Sequence, residues 1–354
     1  MTDETTSQNP EPENTSAQEN TTEAEVTPEK KALPTRHDII QFMGDGREYF
    51  SILILNGILT LITLGIYYPW AKVARLKYLY SHTTLAGDPV TFTATGKEYF
   101  YGFIKALLLI GVWYGSYFYM TFAFSTLQIE ANLFMIFFLL WLAAGLVMYP
   151  FIIHGSYRYR MSRTRWRGIR FAYTGSRSEL VKKALLWALY TLLTFGIYNS
   201  WYVINLRTYI INHIQLGNAQ FKYVGKGGEY FGLNFVGVIL TYLTAGIYGF
   251  WFYRNLIRFY VDNMRLELDG EIFQFQFQGT AGDIFKLAGG NILIIIFTLG
   301  LGYPWTVVRT MRTIFDNISL YGEIDIDKIV QRHGDVGDGT ADDILDFFEM
   351  DMVI

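Results

Sequence analysis

Apolar residues run along the chain in six windows free of charge, 49–71, 106–129, 131–157, 184–206, 230–253 and 287–308, each of 22 to 27 residues. Each exceeds the ~20 residues needed to cross a ~30 Å hydrocarbon layer, and a soluble helix of that length normally keeps a charged face. The pattern predicts membrane helices. Between the windows the period shortens to two: Val90, Phe92 and Ala94, or Phe273, Phe275 and Phe277 against Ile272, Gln274 and Gln276, predict short strands ending at glycine-containing turns. Residues 1–36 follow neither period; eight acids among Thr, Asn, Gln, Ser and Pro, with no aromatic residue, read as a disordered acidic tail. Residues 323–354 are acidic again, and Ile344, Leu345, Phe347, Phe348 and Met350 fit one face of a short docked helix.

Between the tails the chain aligns with itself. Segments 42–50, 92–100, 171–181, 221–231 and 275–285 each end in an acid two residues before an apolar side chain: Glu48, Glu98, Glu179, Glu229 and Asp283. In four units a glycine follows the acid by 17 positions (Gly65, Gly196, Gly246, Gly300) and a tryptophan by 22 (Trp70, Trp201, Trp251, Trp305). The second unit is longer and carries Tyr149-Pro150-Phe151 where the first has Tyr68-Pro69-Trp70. Each unit starts with a strand, and its acid falls in a first helical turn, where it complements the positive end of the helix dipole. An apolar helix then ends in a Gly/Tyr/Trp segment suited to a membrane boundary. A basic amphipathic run follows, finishing at His82, His213, Asn263 or Asn317, positions fit for a helix C-cap, before a short hairpin. The predicted fold is a mainly α-helical, multi-pass membrane bundle of five internal repeats (short strand, membrane helix, second amphipathic helix, short hairpin), with units near 40–90, 90–170, 170–219, 219–273 and 273–322.

The segments MGDGREYF, TLGIYYPWAKVARLKY and TTLAGDPVTF of the first unit resemble the YjgN family of bacterial inner-membrane proteins, a family of unknown function. The likeness runs from about 38 to 322, with SRSEL replacing the Gly-x-Glu-Tyr-Phe portion in the third unit. It implies a multi-pass protein of the bacterial inner membrane, and no activity.

Charge refines topology. Charged residues are 17% of the chain, against about 25% in an average soluble domain. Arg158, Arg160, Arg163, Arg165, Arg167 and Arg170 form a basic cluster expected to face lipid head groups, placing 158–183 in the cytoplasm and the Lys/Arg-free 125–131 outside. Two arrangements remain: six alternating spans, or helical hairpins, favoured for units three to five. In hairpins Arg75, Arg207, Arg258 and Arg312 would be embedded, with the acids as their partners. The acids could instead ring a cation vestibule, but pairing within the fold is the stronger reading.

The candidate chemistry is sparse. Without cysteine there are no disulfides, thiol nucleophiles or Cys-ligated metals. The five histidines stand singly, and no catalytic motif, cofactor fingerprint or metal-ligand spacing appears. A net charge of −3 gives no reason to expect nucleic acid. The expected function is that of a non-enzymatic inner-membrane protein that organises lipid or partner proteins, with membrane lipids as partners and no cofactor. The alternative is a transporter, whose path Asn56, Thr60, Thr63, Asn199, Asn205, Asn234, Thr241 and Asn291 would line.

Overall fold

A computed structural model describes residues 36–127 and 130–331. The expectations for the acidic tail before residue 36 and the helix at 344–350 fall outside the described residues. Two short strands, β1 (Arg36–His37) and β2 (Ile40–Phe42), lead into the first helix pair, α1 (Gly46–Ile62) and α2 (Tyr68–Ser81). The hairpin β3 (Thr83–Leu85) and β4 (Asp88–Phe92) follows, then the long pair α3 (Gly96–Leu127) and α4 (Ala131–Arg163). The order recurs as β5 (Thr164–Trp166), β6 (Ile169–Tyr173), α5 (Arg177–Leu193) and α6 (Asn199–Asn212), then β7 (Ile214–Leu216), β8 (Ala219–Tyr223), α7 (Gly227–Leu243) and α8 (Gly249–Asp262). The last elements are β9 (Met264–Leu268), β10 (Glu271–Phe277), α9 (Ala281–Phe297), α10 (Tyr303–Phe315) and β11 (Ile318–Tyr321).

This architecture overturns the multi-pass helical bundle. The windows 49–71, 184–206, 230–253 and 287–308 each contain a chain reversal, so each divides into two antiparallel helices. α1, α5, α7 and α9 have 17 residues, about 25 Å, short of the ~30 Å layer. Among the described residues only α3 and α4 are long and apolar enough to cross a bilayer. Their apolar windows are 6% and 11% buried, so they are not the core helices of a soluble domain.

The strands form one sheet in the order β1-β11-β10-β9-β8-β7-β6-β5-β4-β3-β2, every pair antiparallel. Its two edge strands, β1 and β2, are only two residues apart in the chain, so the sheet curls almost shut. Apolar positions from β4, β5, β7, β8, β9, β10 and β11 meet in one cluster around the fully buried Trp166, Ala219, Leu216 and Leu320. Ile324 and Ile329, just past β11, join that cluster. The segment carrying them is pinned to the opposite strands: Val330 N–H donates to the Asn218 side chain at 2.9 Å, and the Asn218 N–H to the Val330 carbonyl at 3.0 Å.

The helices close the same circle, since α10 lies against α1 with the Phe50 and Trp305 rings 5.3 Å apart. One backbone bond ties the base of every hairpin to the sheet. Met43, Thr93, Thr174, Val224 and Gln278, each five residues before the acid of its unit, donate N–H to the carbonyls of His82, Arg163, His213, Asn263 and Asn317 at 2.8–3.0 Å.

Candidate membrane-facing site

The far end of each short hairpin is built one way. Thr63, Thr194, Thr244 and Thr298 donate their hydroxyls back to the carbonyl four residues earlier at 2.6–2.8 Å. The same oxygens accept the N–H four residues later, from Tyr67, Tyr198, Tyr248 and Gly302, at 2.6–3.0 Å. Two consecutive left-handed residues then reverse the chain. Gly65, Gly196, Gly246 and Gly300 take φ of 90–93°. The residue before each also has positive φ although it is no glycine: Leu64, Phe195 and Leu299 at 51°, Ala245 at 48°. That conformation costs an L-residue about 1–2 kcal/mol. Among the described residues the side chains so placed are the most exposed large apolar groups, Leu64 at 92%, Phe195 at 98% and Leu299 at 93%.

Behind the reversals lie cations. Lys72, Arg207, Arg254 and Arg309 follow the reversal glycine by 7, 11, 8 and 9 residues, about 10–16 Å along the second helix. In the first hairpin, Lys72 and Arg75 sit on the wall of a cavity of about 510 Å3 between α1 and α2. The polar residues suited to a transport path mostly turn back on their own helices: Asn56 donates to the Ile52 carbonyl, Thr60 to Asn56, Asn234 to Tyr230 and Thr241 to Gly237. Asn291 donates to Thr310 at 3.0 Å.

With this geometry in view the comparisons are specific. The family described as "Bacterial protein of unknown function (DUF898)" matches residues 38–226 and 252–347. The chain belongs to this family. It is similar to the "Inner membrane protein YjgN" of Salmonella typhimurium strain LT2, 32% identical over 169 residues, or 47% of this chain and 38% of the relative. It is also similar to the protein of that name from Escherichia coli O157:H7, 31% identical over 136 residues, covering 38% and 31% of the two chains. The DUF898 chain thus aligns with well under half the length of these curated relatives. No solved structure matches it. The name these relatives carry supports the inner membrane as the location of the DUF898 chain.

In this DUF898 chain the five acids stand at hairpin bases, and their partners are mostly not the repeat arginines. Glu98 accepts from Tyr159 at 2.9 Å and pairs with Arg163 at 3.3 Å. Glu179 accepts from Tyr209 and pairs with Lys183 at 2.8 Å, which holds its carboxyl below the usual range. Glu48 lies 3.4 Å from His82, and Glu229 is exposed. Arg207 instead stacks over Tyr260 at 3.8 Å, Arg258 pairs with Asp262, and Arg312 donates to the Gly44 carbonyl. A tyrosine column went unread in the sequence. Tyr78 and Tyr209 each accept the N–H of a helix-capping residue, Asp45 or Ser176, and donate to its carbonyl, at 2.7–3.0 Å. Its signal was a Tyr four residues before His82 and His213.

The tryptophans serve packing between units. Trp70 covers Gly96, Trp201 covers Gly227 and Trp305 covers Gly46, while Trp251 is 48% exposed. The basic cluster divides: Arg158, Arg160 and Arg163 end α4, Arg165 and Arg170 lie on β5 and β6, and Arg167, at the turn between those strands, pairs with Asp88 and Asp327.

Asp283 closes a capping box with Thr280, accepting its N–H at 2.9 Å and its hydroxyl at 2.7 Å. These bonds, the backbone one foremost, lower its carboxyl pKa. A folded pKa below the unfolded one adds stability that is present above the ordinary aspartate range and lost as pH falls through the lowered value. Asp283→Ala should therefore destabilise the protein at neutral pH, and the gap to the parent should narrow below about pH 4 in denaturation curves, the ordinary Asp value being about 3.9. Thr280→Ala should cost about 1 kcal/mol at neutral pH.

Proposed function

We propose that this protein anchors its curled sheet to the cytoplasmic face of the inner membrane through one spanning hairpin, α3–α4, and presses four short hairpins into the near leaflet, organising lipid without catalysis. The supporting observation is the strained, solvent-exposed apolar residue at the reversals. A left-handed Leu or Phe left in water costs free energy twice, in backbone strain and in hydration, and immersion in lipid offsets both. Lengths agree. From Lys105 to Leu127 runs about 33 Å of helix, enough for a slightly tilted span. The short hairpins end about 22 Å earlier along the helix, so they enter without crossing. Their cations then meet the phosphate layer, and the Arg-rich end of α4 stays inside. The recurring base bond and reversal support a single repeated unit as the origin of all five hairpins. Against the transporter, the middle of the curled sheet is filled by apolar side chains.

Single cysteines test this cleanly, because the native chain has none. A fluorophore at Phe195→Cys should be shielded from an aqueous quencher and quenched by nitroxide lipids labelled at shallow depth, and one at Ser162→Cys should react only from the cytoplasmic side. Aqueous quenching at position 195 in reconstituted vesicles would defeat the proposal. Replacing Leu64, Phe195 and Leu299 together by glycine should leave folding intact or raise stability by about 1 kcal/mol per site, relieving the left-handed strain, while reducing penetration of the leaflet.

A further inference from the structure

The stretch that follows β11 is attached in a different way from the elements before it. Gly322, at φ 134°, turns the chain out of β11 and across the mouth of the curled sheet, at the end of the strands away from the helices. Among the described residues 323–331 join no strand ladder; their one regular element is a turn of 3-10 helix at Ile326–Lys328. Ile324 and Ile329 are buried in the central cluster, with Ile326 half-buried against it, and the rest of the grip is polar and lies at the rim. Arg167 pairs there with Asp88 of β4 and, at 2.7 Å, with Asp327, whose side chain is 85% exposed. The turn that receives the stretch departs from the other three. Between β3 and β4, β5 and β6, and β9 and β10, a left-handed Ala86, Arg167 or Asp269 precedes the glycine, and a Cβ on that glycine meets nothing within 4 Å. Between β7 and β8 the glycine comes first. A Cβ on Gly217 would collide with the Val330 carbonyl oxygen, and Asn218, in the next place, bonds both the N–H and the carbonyl of Val330 and donates its side-chain N–H to the Lys328 carbonyl at 3.1 Å.

A turn shaped to seat a segment makes the contact specific, and a grip of exposed charge with few buried side chains makes that segment the first to open. β11 is the contrast, paired with a strand on either side and carrying the fully buried Leu320. We infer that residues 323–331 are a releasable strap, which swings at Gly322 to uncover the apolar interior of the curled sheet while the strands stay paired, and that the Arg167–Asp327 pair sets how often it is open. Salt screens an exposed ion pair, so ionic strength is the control. The strap lies at the end away from the hairpins, and its opening is independent of how they meet the membrane.

The test is the rate at which a small water-soluble maleimide labels the full chain in non-ionic detergent. The sequence holds no cysteine, so Ile329→Cys reports on the strap and Leu320→Cys on β11, two buried positions of the same cluster. Asp327→Asn breaks only the strap's arm of the Arg167 pairing and should speed labelling at 329 about three-fold, the effect of one exposed ion pair. Asn218→Ala removes two side-chain hydrogen bonds from the strap and should speed it about ten-fold. Raising sodium chloride to about 0.5 M should reproduce the three-fold rise in the reporter chain and add nothing once Asp327→Asn is present. Position 320 should stay slow throughout. Equal acceleration at 320 and 329 would show that the strap opens only as the sheet unfolds, and labelling at 329 that ignores both substitutions would show that these contacts do not hold it; either result overturns the inference. The salt series needs no second substitution, so it decides the matter even if a variant fails to fold, and an unchanged rate at 329 in high salt counts against the ion-pair control.

Discussion

Gly227→Val should destabilise the folded chain by about 3 kcal/mol, at the upper end of overpacking costs, because the new side chain has nowhere to go. A Cβ at Gly227 would overlap the Trp201 ring and stand 2.8 Å from the Trp201 Cα, which cannot rotate away. At Gly96 the three nearest atoms all belong to the Trp70 ring, so Gly96→Val should cost about 1–2 kcal/mol as that ring shifts. Gly57→Ala, in an open position of α1, should instead stabilise by about 0.5–1 kcal/mol through helix propensity. Chemical denaturation of the three variants in one detergent checks the order. Equal costs at 96 and 227 would mean that the close approach of helix backbones is not what the glycine column protects.

The larger loss is expected at Trp166. It is fully buried in the cluster at the centre of the curled sheet, and its indole N–H donates to the Leu85 carbonyl at 2.8 Å, joining the end of β3 to β5. Trp166→Ala should cost about 3–5 kcal/mol from the cavity left among side chains of seven strands. Trp166→Phe should cost about 1–3 kcal/mol, mainly from the Leu85 carbonyl left without its donor. Circular dichroism melts of the solubilised protein would separate the two, and an Ala variant as stable as the parent would show that the sheet does not depend on this cluster.

What could be seen in the sequence was local. Strand periodicity around Phe273, Phe275 and Phe277 matches β10, where all three are buried. His82, His213 and Asn263 stand at helix C-caps, each with its side chain on the carbonyl four residues back. What escaped was anything that depends on a bend or a distant partner. An apolar window such as 49–71 looks continuous because Leu64 gives no sign of adopting φ 51°, a conformation few would assign to leucine. The sheet was invisible as a sheet because strands of two to seven residues gain meaning only by pairing across units, and the outer pairing, β1 with β11, joins residues almost 300 positions apart. Trp70, Trp201 and Trp305 were legible as a column. Their targets, glycines in the following unit and, for Trp305, the first, were not, because the contact is made around the circle.

That closure sets the order in which the molecule can be completed. A linear repeat array can stop after any unit and still be folded, since each unit leans only on its neighbours. Here Trp305 reaches Gly46 and β11 pairs with β1 only after the last unit has been synthesised. Until then the nascent chain carries an unpaired strand, β1, and an uncovered glycine, Gly46, both near its N-terminal end. Emerging hairpins would have to wait beside the membrane for the final one, and a shortened copy lacking a single unit would be left as an open arc with two sticky ends rather than a smaller circle.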